Sequence, residues 1–542
     1  MASHQTDSKT TQDQRGLEYE LPWLVPALLA GTCIFYFYVS SHSYPSFGAG
    51  LYFHIAEHIS ESGYALPETI PGYTAEGVPF AYPPLMFYVS AIILDVTGLS
   101  PFTVAQYLPG LVSIAYLVPL YFFARDLFGS RPQASLATLI VAVSPPVLQW
   151  HISAGGIVRA PALLFSLIGI YAGLHLFRDG DTKWLIPALI TFTLTILTHP
   201  MYTIFFVLTY LLLYLRFDRS FEGLLRGLFV GLGGVLLTTP WWSSVLVAHG
   251  STVFTAAAGT HGGIGNALPM LERLIGRQVN DSPLLVLWHI IAIAGCFWLL
   301  LKREYFLPVW LFLTVVTIEE ARFVFLIAAL VSSRFLFRGV VPRLHKASVV
   351  TFGREEIVTF SVVLLVTVSL SGGALYATGG LNAHAGSPSL PQFVNDGDVE
   401  AMEWTERNTS PSARFVVLGD AAEWFPQQTD RTMLVGPWGV EWKGHQQYRE
   451  QLREFRRLSR CHSSNCLTVR LMQFGVHPEY VYIPKGVYTV RGMQRHQPNQ
   501  MITTMMTSPQ YHLAFENEEV AIFKLTDGWH PPRSGTTGPI PV

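Results

Sequence analysis

Apolar residues form long stretches over the first 377 residues of the chain, whereas polar and apolar residues are mixed from residue 378 onward. A helix needs about 20 apolar residues to cross a bilayer. The stretches that we interpret as spans, eleven in all, are 21–40, 103–124, 133–150, 160–177, 184–198, 201–215, 227–247, 283–301, 305–318, 323–337 and 357–377. The pattern therefore predicts a mainly α fold, a polytopic membrane helical bundle over 21–377.

One further apolar stretch, 84–97, is only about 14 residues long, which is shorter than a span. We interpret it as an interfacial or half-buried helix within the first outer loop, 41–102. If 84–97 crossed the membrane instead, every later loop would change sides.

The distribution of basic residues predicts the orientation of the bundle. With the N-terminus inside, the inner segments carry sixteen Lys and Arg residues, the outer loops carry four, and the 41–102 loop has none. Cytoplasmic loops are enriched in Lys and Arg. Residues 1–20 are therefore predicted to be cytoplasmic, the tail 378–542 to be extracytoplasmic, and the protein to be a multi-pass protein of the cell membrane.

Composition agrees with this division. Half of the chain is hydrophobic and 13% is charged, against about 25% charged residues in soluble proteins. Charged residues make up about 11% of 1–377 and about 19% of 378–542, so the tail is predicted to be a soluble domain. The net charge of −2 provides no basic surface, and no nucleic-acid partner is expected.

The tail mixes strand and helix patterns. Residues 414–418, 480–483 and 520–525 are rich in β-branched and aromatic residues and are predicted as strands. Residues 441–459 are rich in Arg, Gln and Glu, which is typical of an exposed helix. The tail is therefore predicted to be an α/β or α+β domain.

Two of the four cysteines, Cys461 and Cys466, lie in the tail. Outside the cytoplasm a local disulfide is the expected state. The alternative is a metal site that includes His462, but two thiols and one imidazole leave a structural zinc site short of a ligand. No metal site is predicted.

The first outer loop contains the pattern H-x-x-E-H, formed by His54, Glu57 and His58. On a helix the two histidines are four residues apart and share a face. The same spacing marks one class of zinc peptidase. The alternatives are imidazoles that hydrogen-bond within a polar re-entrant loop, and a role in substrate binding or as a general base.

Two arginines, Arg159 and Arg322, lie at the outer ends of predicted spans. Each either extends its charge to the membrane surface or binds phosphate oxygens through its guanidinium. The remaining outer-face candidates are polar or charged residues at turns and loops: His199, Glu319, Glu320 and Arg273. His199 and the two glutamates are also typical of turn and capping residues.

An ordered set of segments resembles the GT-C superfamily of integral-membrane glycosyltransferases, which includes protein mannosyltransferases, aminoarabinose transferases and the catalytic oligosaccharyltransferase subunit. The resembling segments are LYFHIAEHISESGY (51–64), FAYPPLMFYVSAII (80–93), YFFARDLFGSR (121–131), LATLIVAVSPPVL (136–148), AGGIVRAPALLFSLIGIY (154–171) and EARFVFLIAAL (320–330). The segment 422–442 is similar to the tails of archaeal and bacterial hypothetical members.

The resemblance implies a transfer of sugar from a polyprenyl-phosphate-linked donor to a protein, lipid or glycan acceptor on the outer face. It implies that the 41–102 loop helps to build the active site. An apolar groove would hold the isoprenoid, Arg159 and Arg322 would bind the donor phosphate, and Glu57, with His54 and His58, would be catalytic.

The chain departs from the family pattern in two places. Gly48, Ala49 and Gly50 stand where the family usually has an acidic residue. Metal-using members have an acidic pair where this chain has Ile157, Val158 and Arg159. Whether a divalent metal is a cofactor is therefore left open, since its usual acidic ligands are absent. Glu57 or another loop glutamate is expected to be the base.

Three alternatives to an active transferase stay open at this point. A catalytically degenerate GT-C-like protein would bind a lipid-linked glycan or an envelope-assembly partner. A transporter or flippase would show repeats and broken helices at mid-membrane, and the chain has no evident internal repeat. A metallopeptidase would bind metal at His54 and His58.

Overall fold

The structure is a computed structural model that describes residues 3–258, 283–318, 320–346, 354–384, 387–497 and 500–526. Two candidate residues, Arg273 and Glu319, lie outside the described residues. The chain up to residue 377 is almost entirely helical apart from a short hairpin, whereas the tail combines helices with a sheet.

The helices of the first part follow one another with short connections. Their bounds are α1 Ser3–Ser41, α2 Gly50–Glu61, α3 Leu85–Thr97, α4 Pro101–Ala115, α5 Leu117–Phe128, α6 Arg131–Ala142, α7 Pro145–His151, α8 Gly156–Arg178, α9 Leu185–Ile196, α10 Pro200–Phe217, α11 Phe221–Leu237, α12 Thr239–His249, α13 Thr252–Ala258, α14 Pro283–Leu301, α15 Phe306–Thr317, α16 Ala321–Phe335, α17 Val341–Lys346 and α18 Arg354–Ala377. A π-helical turn, Leu336–Val340, joins α16 to α17.

Five helices in the described ranges are long and apolar enough to cross a membrane, and a sixth is added if the pair α11 and α12, bent by 54°, counts as one span. The five are Glu18–Ser41, Pro101–Phe128, Gly156–Arg178, Pro200–Phe217 and Ala321–Arg343. Helices of this kind are typical of a membrane protein. The other predicted spans fall on shorter apolar helices or on the two helices α6 and α7, so the count of eleven stays a prediction.

Within the stretch 84–97, residues Leu85–Thr97 form a helix of 13 residues, α3, as the length of the apolar stretch indicates. It packs against α2, and Asp95 joins the two by accepting hydrogen bonds from Ser60 Oγ at 2.7 Å and Tyr64 Oη at 2.6 Å. Between them lies a small hairpin of β1, Thr69–Ile70, and β2, Val78–Pro79. The first loop is therefore a structured unit.

A group of ion pairs joins three helices at the end of the bundle that carries the predicted inner loops. Glu20 of α1 accepts hydrogen bonds from Tyr121 at 2.6 Å and from Arg131 at 2.9 Å, and Arg125 lies 3.2 Å from the same carboxylate. Because Glu20 is only 6% exposed, these partners are needed to offset the loss of hydration of its charge.

The tail is built on a five-stranded mixed sheet. Its helices are α19 Asp396–Asn408, α20 Phe425–Thr429, α21 His445–Leu458, α22 Ser464–Phe474 and α23 Gln500–Met506. Its strands are β3 Asn382–His384, β4 Ser387–Pro388, β5 Arg414–Val417, β6 Thr432–Met433, β7 Tyr480–Pro484, β8 Gly486–Val490, β9 Met493–Gln497, β10 Tyr511–Glu516 and β11 Val520–Leu525. The sheet order is β10-β11-β7-β5-β6, with β5 parallel to β6 and β7 and the other pairs antiparallel. The three predicted strands form β5, β7 and β11.

Buried side chains form two large clusters. One lies within the helical bundle and includes residues of α1, α5, α6, α8, α10 and α16. The other contains the interior of the tail together with α2, α3 and the start of α8. The first loop thus packs into the same core as the tail, which places the tail directly over one end of the bundle. Cys461 and Cys466 are joined by a disulfide in this domain.

Candidate functional site

Three helices of the bundle begin beside one another beneath the tail. Their first turns place Arg159 in α8, Tyr202 in α10 and Arg322 in α16. A helix N-terminus carries unpaired N–H groups and a partial positive charge, which favours anions. Two guanidinium groups at these termini add full positive charges.

Arg322 is almost fully buried, at 5% exposure. Its Nη1 donates to Glu320 at 3.1 Å, and its guanidinium carbon lies 5.4 Å from the centre of the Tyr202 ring. Its Nε is buried with no hydrogen-bond partner among the residues that the structure describes. A buried, unpaired donor costs free energy unless a ligand accepts from it.

Arg159 shows the same combination of anchoring and unused donors. Its Nη1 donates to the carbonyl of Gly155 at 2.7 Å, and its guanidinium lies over the Trp150 ring, 5.0 Å from the ring centre. Its Nε is also buried without a partner in the described part of the chain. The charges of Arg159 and Arg322 both act on the Tyr202 hydroxyl, so the two predicted phosphate-binding residues lie within electrostatic reach of the same group.

His151, at the end of α7, fixes the hydroxyl that lies between these arginines. Its Nδ1 is 2.6 Å from the carbonyl of Val147, which can only accept, so Nδ1 carries the hydrogen. Its Nε2 lies 2.6 Å from the Tyr202 hydroxyl and therefore accepts from it. The lone pairs of the tyrosine oxygen are left to face the guanidinium groups.

The first loop and the tail cover this group. Tyr52, on α2, interacts with Arg159, and its ring centre is 5.9 Å from that of Tyr82. Tyr82 in turn donates a hydrogen bond to the Glu441 carboxylate of the tail. These side chains thus form a polar group with the helix ends on one side and the loop and tail on the other. We call it the arginine chamber.

The H-x-x-E-H residues lie on the other face of α2, away from Tyr52. His54 is buried, packs against the Tyr73 ring at 5.8 Å and has an Nε2 without a partner in the described residues. Burial lowers the pKa of His54 to about 4. Glu57 accepts a hydrogen bond from Gln427 of α20 at 2.8 Å, and burial raises its pKa to about 7. His54, Glu57 and His58 therefore face the tail helix rather than the arginine chamber, and their catalytic role stays a prediction.

Two further candidates lie at the edge of the arginine chamber. His199 caps α10, where its Nδ1 accepts from the N–H of Met201 at 3.3 Å, and its ring packs 5.2 Å from that of Tyr202. Glu320 precedes α16 and pairs with Arg322. His199 is thus a helix-capping residue and Glu320 an ion-pair partner, and each contacts a residue of the arginine chamber.

The metal that the resemblance implies for some members would need oxygen ligands. In place of the acidic pair the chain has Ile157 and Val158, which are buried and apolar, and the positive charge of Arg159. These residues do not fit a divalent cation. Across the described ranges no group of three or more His, Cys, Asp or Glu side chains is placed to share a metal ion.

Sequence reasoning missed the tyrosines and the tail carboxylates of the chamber. Tyr52, Tyr82 and Tyr202 are three of 23 tyrosines, and no spacing pattern distinguishes them. Glu441 lies far along the chain in a segment whose composition is typical of an exposed helix. Only the packing of the tail over the helix ends shows that these groups meet.

A family model described as dolichyl-phosphate-mannose-protein mannosyltransferase matches residues 81–244. The match includes Tyr82, Arg159 and Tyr202 but not Arg322 or the tail. A comparison with curated protein sequences gives no match.

Several solved structures share the fold. The Archaeoglobus fulgidus oligosaccharyltransferase, tethered with an acceptor peptide containing the NVT sequon, matches with a TM-score of 0.55 and 13% identity over 86% of this chain and 69% of its own. ArnT from Cupriavidus metallidurans bound to undecaprenyl phosphate has a TM-score of 0.54 and 14% identity over 95% and 100%. The arabinofuranosyltransferase AftD from Mycobacteria has a TM-score of 0.53 and 14% identity over 94% and 40%. Identities this low establish likeness of fold.

Proposed function

Because the chain has the GT-C fold of integral-membrane glycosyltransferases, we propose that it transfers a sugar from a polyprenyl-phosphate-linked donor to a protein, lipid or glycan acceptor. The proposal places the reaction on the outer face of the cell membrane, beneath an extracytoplasmic tail. It needs a site that binds one phosphate group next to lipid.

The observation that carries the proposal is the pair of guanidinium groups in the arginine chamber, Arg322 buried and Arg159 half-buried. Arg159 and Arg322 converge on Tyr202, and each has a buried Nε with no partner in the described residues. A phosphate oxygen can accept from several such donors at once, and charge-assisted hydrogen bonds of this kind are the strong ones. Arg159, Tyr202 and Arg322 lie in the first turns of α8, α10 and α16, and helix N-termini favour an anion further.

The surroundings suit a lipid-linked donor. The chamber lies at the ends of apolar helices, so an isoprenoid chain could extend along the bundle while its phosphate stays at the arginines. Among the structures with this fold, ArnT holds undecaprenyl phosphate and the Archaeoglobus fulgidus oligosaccharyltransferase has been seen with a dolichol-phosphate. These likenesses support a polyprenyl phosphate as the shared chemistry.

In the proposed reaction the arginines stabilise the phosphate that leaves when the sugar is transferred. Negative charge on that phosphate grows as its bond to the sugar breaks, and fixed positive groups that face it lower the barrier. In this proposal the sugar and the acceptor contact the Tyr202 hydroxyl, oriented by His151, and the Glu441 and Glu320 carboxylates.

The test is the binding of undecaprenyl phosphate to purified full-length protein in detergent, measured as a thermal shift and by native mass spectrometry. We expect Arg159→Ala and Arg322→Ala each to weaken binding by about 10- to 100-fold, since each removes a charge-assisted contact. Arg407→Ala is the control, because Arg407 is 69% exposed and pairs only with Glu403 among the described ion pairs. Equal binding by all variants would refute the phosphate site.

A transfer assay beside the binding experiment separates the alternative of a catalytically degenerate protein. Its specific support is the row Gly48, Ala49 and Gly50, which provides no acidic side chain. Tight binding of undecaprenyl phosphate by the parent protein, with no sugar transferred by membranes that contain it, would favour that alternative.

A further inference from the structure

A tail glutamate, Glu423, occupies the space beside Gly48 and Gly50. A Cβ atom at Gly48 would collide with the Glu423 carboxyl group, and one at Gly50 would collide with its backbone carbonyl and with Trp424 Cα. The missing side chains of the first loop therefore leave the space into which the tail inserts a carboxylate.

The position of this glutamate is fixed by its neighbours. Glu423 ends a 3₁₀ turn, Asp420–Glu423, and its backbone carbonyl accepts a hydrogen bond from Tyr73 at 2.6 Å. The next residue, Trp424, is fully buried, and its ring stacks on Phe53 of α2 at 6.1 Å. Loop and tail thus hold the Glu423 side chain from both sides.

The Glu423 carboxylate lies within electrostatic reach of Arg159 in the arginine chamber. It accepts a hydrogen bond from Trp438, and the charges of Arg491, Asp420 and Arg159 act on it. Tyr52 interacts with both Glu423 and Arg159. Burial raises the pKa of Glu423 to about 8, so the group exchanges protons near neutral pH, as a general base must.

Glu57 differs from Glu423 in this respect. The groups that act on Glu57 are Gln427, Glu61 and Asp430, which lie on the opposite side of α2 from Tyr52. Of these two carboxylates, the one that shares the arginines' chamber comes from the tail rather than from the first loop.

We propose that Glu423 is the general base of the transfer reaction, so that the soluble tail completes an active site begun by the membrane helices. The inference rests on the proposed function. The acceptor's hydroxyl oxygen bonds to the anomeric carbon of the sugar, and the proton of that hydroxyl passes to the Glu423 carboxylate. The bond from that carbon to the phosphate oxygen breaks, and polyprenyl phosphate leaves with the electron pair beside Arg159 and Arg322.

The test compares binding and transfer in the same full-length variants. Binding uses undecaprenyl phosphate as the probe. Transfer uses membranes from a source strain that lacks the gene, since these contain both substrates, and the glycan product is measured by mass spectrometry. We expect Glu423→Gln to bind undecaprenyl phosphate within about twofold of the parent and to lose transfer by about 100-fold or more. Glu403→Gln, an exposed glutamate on α19 that pairs with Arg407, is the control with full transfer.

A second variant separates catalysis from packing. Glu423→Asp keeps the carboxylate but has a lower intrinsic pKa, so we expect reduced transfer with its pH profile displaced to lower pH. In the parent, transfer should rise with pH toward about 8 as Glu423 ionises. A purely structural role would leave the pH profile unmoved, and that result would overturn the inference.

The outcomes distinguish the two proposals. If Arg159→Ala abolishes both binding and transfer while Glu423→Gln transfers within about tenfold of the parent, the base assignment fails and the proposed function stands. Loss of transfer in Glu57→Gln with retention in Glu423→Gln would likewise reject Glu423 as the base and leave the proposed function intact. If the arginine variants bind undecaprenyl phosphate like the parent, the proposed function itself fails.

Discussion

The centre of the Trp424 ring in the tail lies 4.6 Å from the centre of the Phe102 ring at the start of α4. This contact joins the tail to the helical bundle beside the chamber. Because Trp424 is fully buried, the contact excludes water from the junction. The site can therefore be complete only while the tail is docked.

Truncation of Phe102 tests this junction. Phe102→Ala removes a partly buried ring, and we expect it to lower the free energy of unfolding by about 1–3 kcal/mol, since large-to-small changes lose both burial and packing. Thermal unfolding in detergent measures the effect. Phe221→Ala, at a ring that is 72% exposed, should change the midpoint by much less, and equal effects would contradict a packed junction.

A side chain at Gly50 should separate the tail from the first loop. The Cβ of Gly50→Ala would collide with the backbone of Glu423 and Trp424. Because the backbone must shift to make room, we expect the free energy of unfolding to fall by about 1–3 kcal/mol. We expect a lower unfolding midpoint and faster limited proteolysis between bundle and tail. Gly231→Ala in α11 is the matched control, because a Cβ there meets no atom within 4 Å in the described structure.

Loss of the Tyr202 hydroxyl should weaken donor binding. Tyr202→Phe keeps the ring beneath Arg322 but removes the hydroxyl group that donates a hydrogen bond to His151. We expect undecaprenyl phosphate to bind about 2- to 10-fold more weakly, the range for one hydrogen bond, with little change in unfolding. Tyr107→Phe, at an exposed tyrosine of α4, should bind normally. Unchanged binding by Tyr202→Phe would place the phosphate elsewhere.

The buried carboxylate of Glu57 should give stability a pH dependence. Burial raises its pKa from the ordinary value of 4.5 to about 7 in the folded state. The contribution of Glu57 to the free energy of unfolding is therefore fully present below pH 4.5 and is lost as the pH rises through 7. Glu57→Gln does not titrate, so we expect the unfolding midpoint of this variant, relative to the parent, to increase between about pH 5 and about pH 8. A difference that stays constant over that range would be inconsistent with a buried carboxylate.

Cysteine labelling tests the predicted orientation. Glu61→Cys lies at the end of α2, on the predicted outer face, and Lys183→Cys lies at an exposed position of the predicted inner face. A membrane-impermeant maleimide should label the first in intact cells and the second only after lysis. The parent protein, with Cys33 and Cys296 as its free cysteines, gives the background. The reverse pattern would invert the topology.

Much of the fold follows from local sequence. Apolar stretches such as 160–177 and 201–215 lie within helices α8 and α10, because in a membrane the backbone satisfies its own hydrogen bonds within the helix. The strand at 480–483 was predictable from its β-branched and aromatic residues. The GT-C resemblance drawn from ordered motifs is confirmed at the level of fold.

The positions of Arg159 and Arg322 in the first turns of their helices were also local properties, since each charge lies at the start of an apolar stretch. That the two converge on Tyr202 is a matter of helix packing, which relates residues more than 100 positions apart. No spacing along the chain could show this.

The proposed catalytic carboxylate was beyond sequence reasoning for a related reason. The H-x-x-E-H pattern fixes only which residues share a face of α2, and on the opposite face Tyr52 lies among the apolar Ile55, Ala56 and Ile59. The tail decides between the two faces, because it covers Glu57 with α20 and inserts Glu423 beside Gly48 on the chamber side. The sequence by itself determined the helices, the charged ends and the composition of the tail. Only tertiary structure decided which charges share one chamber, since contacts between distant segments depend on how the whole chain packs.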